Sequence, residues 1–161
     1  MLTKVDLYTD GASRGNPGPG GFGAILVFVT NNGVKAEKEI TEGYKNTTNN
    51  RMELLGVIKG LNALTRPCSV TVYSDSKYVV DAFNQGWVDK WIKNNWRRGK
   101  EPVKNIDLWK KLLSAMEIHE VKYIWVKGHA GHDYNERCDR LATSSADGDN
   151  LLDDTVDEMI I

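Results

Sequence analysis

The sequence predicts an α/β domain built on a five-stranded mixed sheet, three antiparallel strands followed by two parallel ones, flanked by helices. Two observations carry this. The first 43 residues hold three strand-like runs separated by turns, whereas from residue 50 onward helical periodicity alternates with short β-branched runs. Residues 4–9 put Val5 and Leu7 on one face of the first strand. Gly11 to Gly23 is rich in Gly and Pro and reads as a sharp turn, and Ala24-Ile25-Leu26-Val27-Phe28-Val29 follows as a buried strand. Asn32-Gly33 is a hairpin turn because both residues tolerate positive φ, so residues 34–43 return antiparallel.

Asn50 with Glu53 three positions later resembles a capping box, and Met52, Leu55, Ile58 and Leu61 recur at helical spacing until Arg66-Pro67 stops the helix. Val70 and Val72 mark the fourth strand, which ends at Asp75; Ser76 caps a helix running to about Gln85. Residues 87–104 are basic and Trp-rich. Ile106, Trp109, Leu112, Leu113 and Met116 give a further amphipathic helix, Val121 to Val126 the fifth strand, and residues 135–145 the last helix. The fourth and fifth strands are expected to be parallel and joined by a right-handed crossover.

A chain of 161 residues is one domain, long enough to bury a core without metals or disulfides. No apolar run approaches the roughly 20 residues that span a bilayer, and Met1 to Asp6 lacks the apolar stretch of a signal peptide. A cytoplasmic protein is expected, with Cys68 and Cys138 as buried thiols. The net charge of −1 conceals a division. Residues 146–161 carry six acids and no Lys or Arg, and read as a mobile acidic tail after a domain of residues 1–145, which keeps sixteen acids against twenty-one bases. Much of the excess lies in Lys90, Lys93, Arg97, Arg98, Lys100 and Lys104, interrupted by Trp91 and Trp96. Bases interleaved with flat rings suit a polyanion; a solvated helix-loop surface is the plainer alternative.

Four acids fall where an isolated carboxylate adds little stability. Asp10 ends the first strand, Asp75 ends the fourth, Glu53 lies among apolar residues in the early turns of a helix, and Asp139 follows Cys138 on the last helix. Parallel neighbouring strands bring Asp10 and Asp75 out at one sheet edge, where ligands bind in open α/β sheets, with Glu53 and Asp139 leaning over it. Clustered carboxylates need cations, and oxygen-preferring Mg²⁺ or Mn²⁺ are natural partners; two such ions about 4 Å apart can clamp the attacking and leaving oxygens of a phosphodiester displacement. Taken singly, each acid also has an ordinary role: Asp10 in a turn, Glu53 in a cap, Asp75 exposed, Asp139 paired with Arg137 or Arg140. The glycines of 11–23 lack the Gly-Lys-Ser/Thr ending of a P-loop and join strand to strand. His129, His132 and Cys138 permit a zinc reading, but a structural site wants a fourth ligand and none is near in sequence.

Five segments together resemble one family. YTDGASRGNPGPGGFGAIL (8–26), TTNNRMELLGVIKGL (47–61), VYSDSKYVV (72–80), WIKNNWRRGKEPVKNIDLW (91–109) and WVKGHAGHDYNERCDRLA (125–142) are similar to type 1 ribonucleases H of the bacterial kind, over essentially residues 3–142. The resemblance implies the ribonuclease H-like fold and an endonuclease that hydrolyses the RNA strand of RNA/DNA hybrids by two-metal-ion catalysis, leaving 5′-phosphate and 3′-hydroxyl ends. It implies that Asp10, Glu53, Asp75 and Asp139 hold two Mg²⁺ ions, with Mn²⁺ a possible substitute. Asp10 would bridge them, Glu53 would stand on the leaving-group side and Asp139 beside the attacking water.

His129, in a glycine-flanked loop, would move a proton or help product leave. Backbone around Gly11, Ala12 and Ser13, with Asn16 and Asn50, would meet the hybrid's minor groove, where 2′-hydroxyls distinguish RNA from DNA. Thr48, Arg51 and Asn16 match a pocket for a DNA-strand phosphate. The basic segment matches a handle that grips the DNA strand through Lys93, Arg97, Arg98 and Lys100, with Trp91 and Trp96 either touching sugars or anchoring the helix. Ala12 replaces a common Ser, and Lys77 a common Gln near the minor groove, adding charge but no acceptor. A non-catalytic hybrid-binding module is the alternative, and it predicts a lost metal ligand; another nuclease or recombinase on the same fold is a third reading. The chain is expected to be monomeric, and its acidic tail to be either solvated or engaged with a protein partner or the basic handle.

Overall fold

Burial alternates along the first strand: Val5, Leu7, Thr9 and Gly11 are buried and their neighbours are not, as a period of two requires when one face meets a core. In the computed structural model, which describes residues 1–128 and 133–156, this strand is β1 (Thr3–Ser13). It pairs antiparallel with β2 (Gly18–Val29), which pairs antiparallel with β3 (Lys35–Thr47). The Gly/Pro-rich stretch expected to be turn throughout is mostly strand. β1 runs on to Ser13 and β2 starts at Gly18, so only residues 14–17 turn, closed by Arg14 N–H donating to the Pro19 carbonyl at 2.6 Å. Gly15, at positive φ, and Gly18, hemmed by the Arg14 backbone, serve that turn, whereas Gly11, Gly21 and Gly23 are glycine because helices press on the sheet.

Helix α1 (Asn49–Asn62) follows, then β4 (Cys68–Ser74), α2 (Lys77–Asn84), α3 (Trp87–Lys93), a two-residue ladder of β5 (Arg97–Arg98) and β6 (Glu101–Pro102), α4 (Ile106–Met116), β7 (Glu120–Trp125) and α5 (Asp133–Ala146). The sheet order is β3-β2-β1-β4-β7, with β1/β4 and β4/β7 parallel, which is the predicted mixed sheet. α1 is capped by Thr48, whose hydroxyl accepts from Arg51 N–H at 3.2 Å. The expected Asn50–Glu53 capping box does not form, and Glu53 is released for other use. Ser76 caps α2 as predicted, accepting from Val79 N–H. The β5–β6 ladder had no periodic signal; its turn rests on Asn95, Trp96 and Gly99 at positive φ.

The main core lies between the sheet and α1, α2 and α4, with Leu7, Leu54, Val70, Val72, Trp109 and Leu112 at 0% exposure. Each such side chain contributes about 1.5–3 kcal/mol through burial. On the other face Ile25, Val27 and Cys138 form a smaller cluster under α5. There the sheet presents Gly21, Gly23 and Gly43, and α5 lies so low that a Cβ at Gly23 would stand 2.5 Å from the Cys138 carbonyl oxygen and one at Gly21 2.6 Å from that of Ala142. At Gly43 it would run into the Ser145 carbonyl. Only glycine permits this approach.

Residues 147–156, expected to belong to a mobile tail, run along the domain. Leu152 bridges to Tyr44 at the edge of β3, its N–H donating to the Gly43 carbonyl and its carbonyl accepting from Lys45 N–H, both at 2.8 Å. Asp147 pairs with Arg14, Asp153 with Lys45 and Asp154 with Arg51. Met159, Ile160 and Ile161 lie outside the described residues.

Candidate active site

The parallel register of β1 and β4 ends at Tyr8 opposite Tyr73, so Asp10 and Asp75, each two residues further on, leave the sheet side by side. α1 crosses above them and delivers Glu53, only 3% exposed. One carboxylate oxygen from each of Asp10, Glu53 and Asp75 lies within 4.8 Å of the others. Gly11 makes this approach possible: a Cβ there would stand 2.5 Å from the Glu53 backbone nitrogen and 2.8 Å from its Oε1. The Gly11 N–H donates to Asp10 Oδ1 at 2.9 Å and helps to orient it.

Three carboxylates this close resist full ionisation. Burial pushes the Asp10 pKa up to about 7, helped by the charge of Asp75 and, more weakly, of Asp139. Glu53 is raised well above the ordinary carboxylate range, by burial first, then by the charges of Asp10 and Asp75, and by a side-chain hydrogen bond to Asp10 that favours its protonated form. Glu53 Oε1 is buried with no hydrogen-bond partner. An orphaned buried carboxyl oxygen, a glycine cradle and an all-oxygen donor set fit a hard divalent cation, which would favour the ionised carboxylates and satisfy the orphan at once.

Asp139 sits half-buried on α5, outside the 4.8 Å group but near enough to raise Asp10. Three predicted ligands are therefore brought together, and the fourth stands on the neighbouring helix. His129 lies outside the described residues, as does His132. The chain runs toward them past Asp75: a Cβ on Gly128 would be 2.8 Å from Asp75 Oδ2. Cys138 is fully buried, its thiol donating to the Tyr8 carbonyl at 3.3 Å, and burial raises its pKa. It serves the contact between α5 and the sheet, which removes the thiolate from the zinc reading.

Around the cluster, Asn16 Oδ1 accepts from Ser13 Oγ and from Asn49 N–H, both at 2.9 Å, tying the β1–β2 turn to the start of α1. Gly11 is buried against α1 and Ala12 half-buried, whereas Asn50 is exposed at the start of α1. Thr48 is occupied as the cap of α1. Arg51 departs from its expected place in a phosphate pocket. It turns inward, with its side chain 8% exposed, and forms two paired contacts with Asp107 (2.9 and 2.8 Å) and two with Asp154 (2.7 and 3.0 Å), while Asn105 Oδ1 accepts at 3.3 Å. With its donors facing carboxylates, the guanidinium is a structural clamp. Sequence reading missed it because Asp107 looks like a first-turn acid of α4 and Asp154 like one more tail charge.

Lys77 is exposed at the start of α2, its ammonium 4.8 Å from the centre of the Trp125 ring. The handle divides into anchors and grips. Trp91 packs edge-on to Trp109 at 5.1 Å and lies 6.4 Å from Trp96, so both rings hold α3 and the β5–β6 ladder to the core. Lys93, Arg97, Arg98 and Lys100 are exposed beyond them. No helix among the described residues is long and apolar enough to cross a membrane.

A family model described as RNase H matches residues 3–147. A curated relative from Lachnoclostridium phytofermentans named ribonuclease H is 63% identical over 157 residues, covering 96% of this chain and 99% of the relative. Among solved structures, LC9-RNase H1, described as a type 1 RNase H with the type 2 active-site motif, aligns with a TM-score of 0.85 at 31% identity, covering 99% of this chain and 81% of that one. LC11-RNase H1, solved in complex with an RNA/DNA hybrid, shares the fold with a TM-score of 0.61 at 24% identity, covering 89% of this chain and 96% of that one. The mixed sheet, the carboxylates gathered at its edge and these similarities agree: the chain belongs to the ribonuclease H family.

Proposed function

We propose that this chain cuts the RNA strand of RNA/DNA hybrids at the carboxylate cluster, as a metal-dependent endonuclease leaving 5′-phosphate and 3′-hydroxyl ends. The observation that carries the reading is the convergence of Asp10, Glu53 and Asp75 within 4.8 Å, with Glu53 Oε1 buried and unsatisfied. Asp10, Glu53 and Asp75 hold divalent metal, with Asp139 completing the set from α5. Magnesium is the working ion, and manganese substitutes for it. Bound there, such ions activate water and neutralise the leaving 3′-oxygen.

The chain's own residues supply the rest. Asp10, level with Asp75 and below Glu53, would be the ligand shared by the ions, as the family resemblance implies, and its raised pKa means that metal loading would release a proton. By the family resemblance, Asp139 would serve the side of the attacking water and His129 would move a proton. The rim made by Gly11, Ala12, Ser13, Asn16 and Asn50 presents backbone and amide groups to the minor groove, while Lys93, Arg97, Arg98 and Lys100 take phosphates of the DNA strand. The enzyme works as a monomer in the cytoplasm; the two buried free thiols, Cys68 and Cys138, support a reducing compartment.

The test is hydrolysis of labelled RNA/DNA, RNA/RNA and DNA/DNA duplexes and of single-stranded RNA, with Mg²⁺, with Mn²⁺ and with EDTA, beside Asp10→Asn. Metal-dependent cutting of the hybrid's RNA strand alone, lost in Asp10→Asn, is the expected result. Tight hybrid binding without cutting in either metal would overturn it.

A further inference from the structure

Trp125 ends β7 on the far side of Asp75 from Asp10, because β4 lies between β1 and β7 in the sheet. It pairs with Ser74, the residue before Asp75. Trp125 is 42% exposed, so burial alone does not account for a large aromatic there. Two contacts do. The indole Nε1–H donates to the Asp75 backbone carbonyl at 3.1 Å, and the Lys77 ammonium lies over the ring at 4.8 Å.

Lys77 poses a problem for a metal site. It is the first residue of α2, two positions after Asp75, with a compact charge on a flexible stem. The carboxylates of Asp10, Glu53 and Asp75 form a concentrated negative field close by. An ammonium drawn into that field would cancel one unit of the charge that attracts a divalent ion and fill part of its space. Yet among the described residues Lys77 forms no ion pair, and its charge rests on the π face of Trp125. Sheet order puts the strand that carries the ring on the far side of β4 from β1 and Asp10.

We infer that Trp125 is a positioning residue for the metal site: its ring parks the Lys77 ammonium on the β7 side of Asp75, and its N–H fixes the backbone from which the Asp75 carboxylate projects. The ammonium is thereby kept from neutralising the carboxylates that would hold the metal. This rests on the carboxylate cluster being the metal site. An exposed cation–π contact is weak, so the effect is a matter of several-fold, not of orders of magnitude.

The experiment is titration calorimetry of the full-length, hybrid-free protein with Mn²⁺, with free Mn²⁺ followed in parallel by electron paramagnetic resonance. Trp125→Leu is expected to weaken Mn²⁺ binding about 3- to 5-fold, adding Lys77→Gln to return it to within about 2-fold of the parent, and Trp125→Phe, which keeps a ring face, to fall between Leu and parent. Parent-like affinity in Trp125→Leu would overturn the inference. So would a loss that persists in the double variant, since a merely structural tryptophan gives that result, or a Phe variant no better than Leu. Asp10→Asn runs beside them. Unchanged Mn²⁺ binding in Asp10→Asn refutes the metal-site reading itself and takes this inference with it, whereas lost binding there with a parent-like Trp125→Leu refutes the inference alone.

Discussion

Replacing Asp154 with alanine opens the clamp that joins three distant parts of the chain. Arg51 in α1, Asp107 at the start of α4 and Asp154 have side chains 8%, 1% and 6% exposed, so water neither screens the contacts nor replaces them. Losing Asp154 deprives Arg51 of a two-point contact and leaves the buried Thr47 hydroxyl, which donates to Asp154 at 2.6 Å, without its acceptor. Removing one partner from a buried ion pair costs about 3–5 kcal/mol. Arg51 keeps its paired contact with Asp107, which lowers the expected loss to about 2–4 kcal/mol, or roughly 5–15 °C in Tm for a domain of this length.

The assay is thermal and urea unfolding of metal-free protein at pH 7 with low and high NaCl. The difference between Asp154→Ala and parent should be insensitive to salt, because the contact is buried. Asp147→Ala is the control. It breaks the Arg14 pair, whose side chains are 52% and 55% exposed, and should leave the midpoint where it is. A Tm drop below about 2 °C in Asp154→Ala, or a difference from the parent that high salt abolishes, refutes the clamp.

Further outcomes follow from the same geometry. Metal-free protein should lose stability as pH rises from about 4 to 7: folded Asp10, raised from 3.8 to about 7, holds a proton that the unfolded chain has released, and the penalty is complete above pH 7. Asp10→Asn should therefore abolish cutting yet stabilise the metal-free protein at pH 8 by on the order of 2–4 kcal/mol, read from urea midpoints; Mg²⁺ should shrink that gap. Changing Lys93, Arg97, Arg98 and Lys100 together to Ala should weaken hybrid binding and lower the slope of log affinity against log salt by up to about 3–4, while cutting at saturating hybrid persists. Gly11→Ala should cost at least tenfold in activity, as well as stability, because its Cβ meets the Glu53 backbone at 2.5 Å; parent-like hydrolysis would show that Glu53 has room to move.

How far the sequence carried the reading depended on the range of the signal. The sheet was legible because Val5/Leu7 and Val70/Val72 alternate locally, and the parallel pairing of β1 with β4 then brought Asp10 to Asp75 without further information. Glu53 was legible as an acid among apolar residues, although the capping box offered a competing local use that Thr48 fills instead. The Gly/Pro run was misjudged because glycine reports both bending and close packing, and only α5 lying above Gly21 and Gly23 decides between them. Arg51 went inward because of two acids far along the chain, and no pattern within one element predicts such a partner. Charge showed the basic segment and placement showed Asp139, while the resemblance added Lys77 and the roles; of the two readings open for Trp91 and Trp96, packing against Trp109 selects the anchor.

The glycine floor beneath α5 bears on how the protein can change over time. A Cβ at Gly21, Gly23 or Gly43 meets main-chain atoms of α5, at Cys138, Ala142, Ser145 and Ala146, as well as side chains. A clash with a side chain can be relieved by trimming the neighbour; a clash with a carbonyl or an amide cannot, because every residue has one. No second substitution in α5 restores the fit, and the helix must rise from the sheet, carrying Asp139 away from Asp10. These three positions have no compensating partners, so drift at any of them is a step with no return path except reversion.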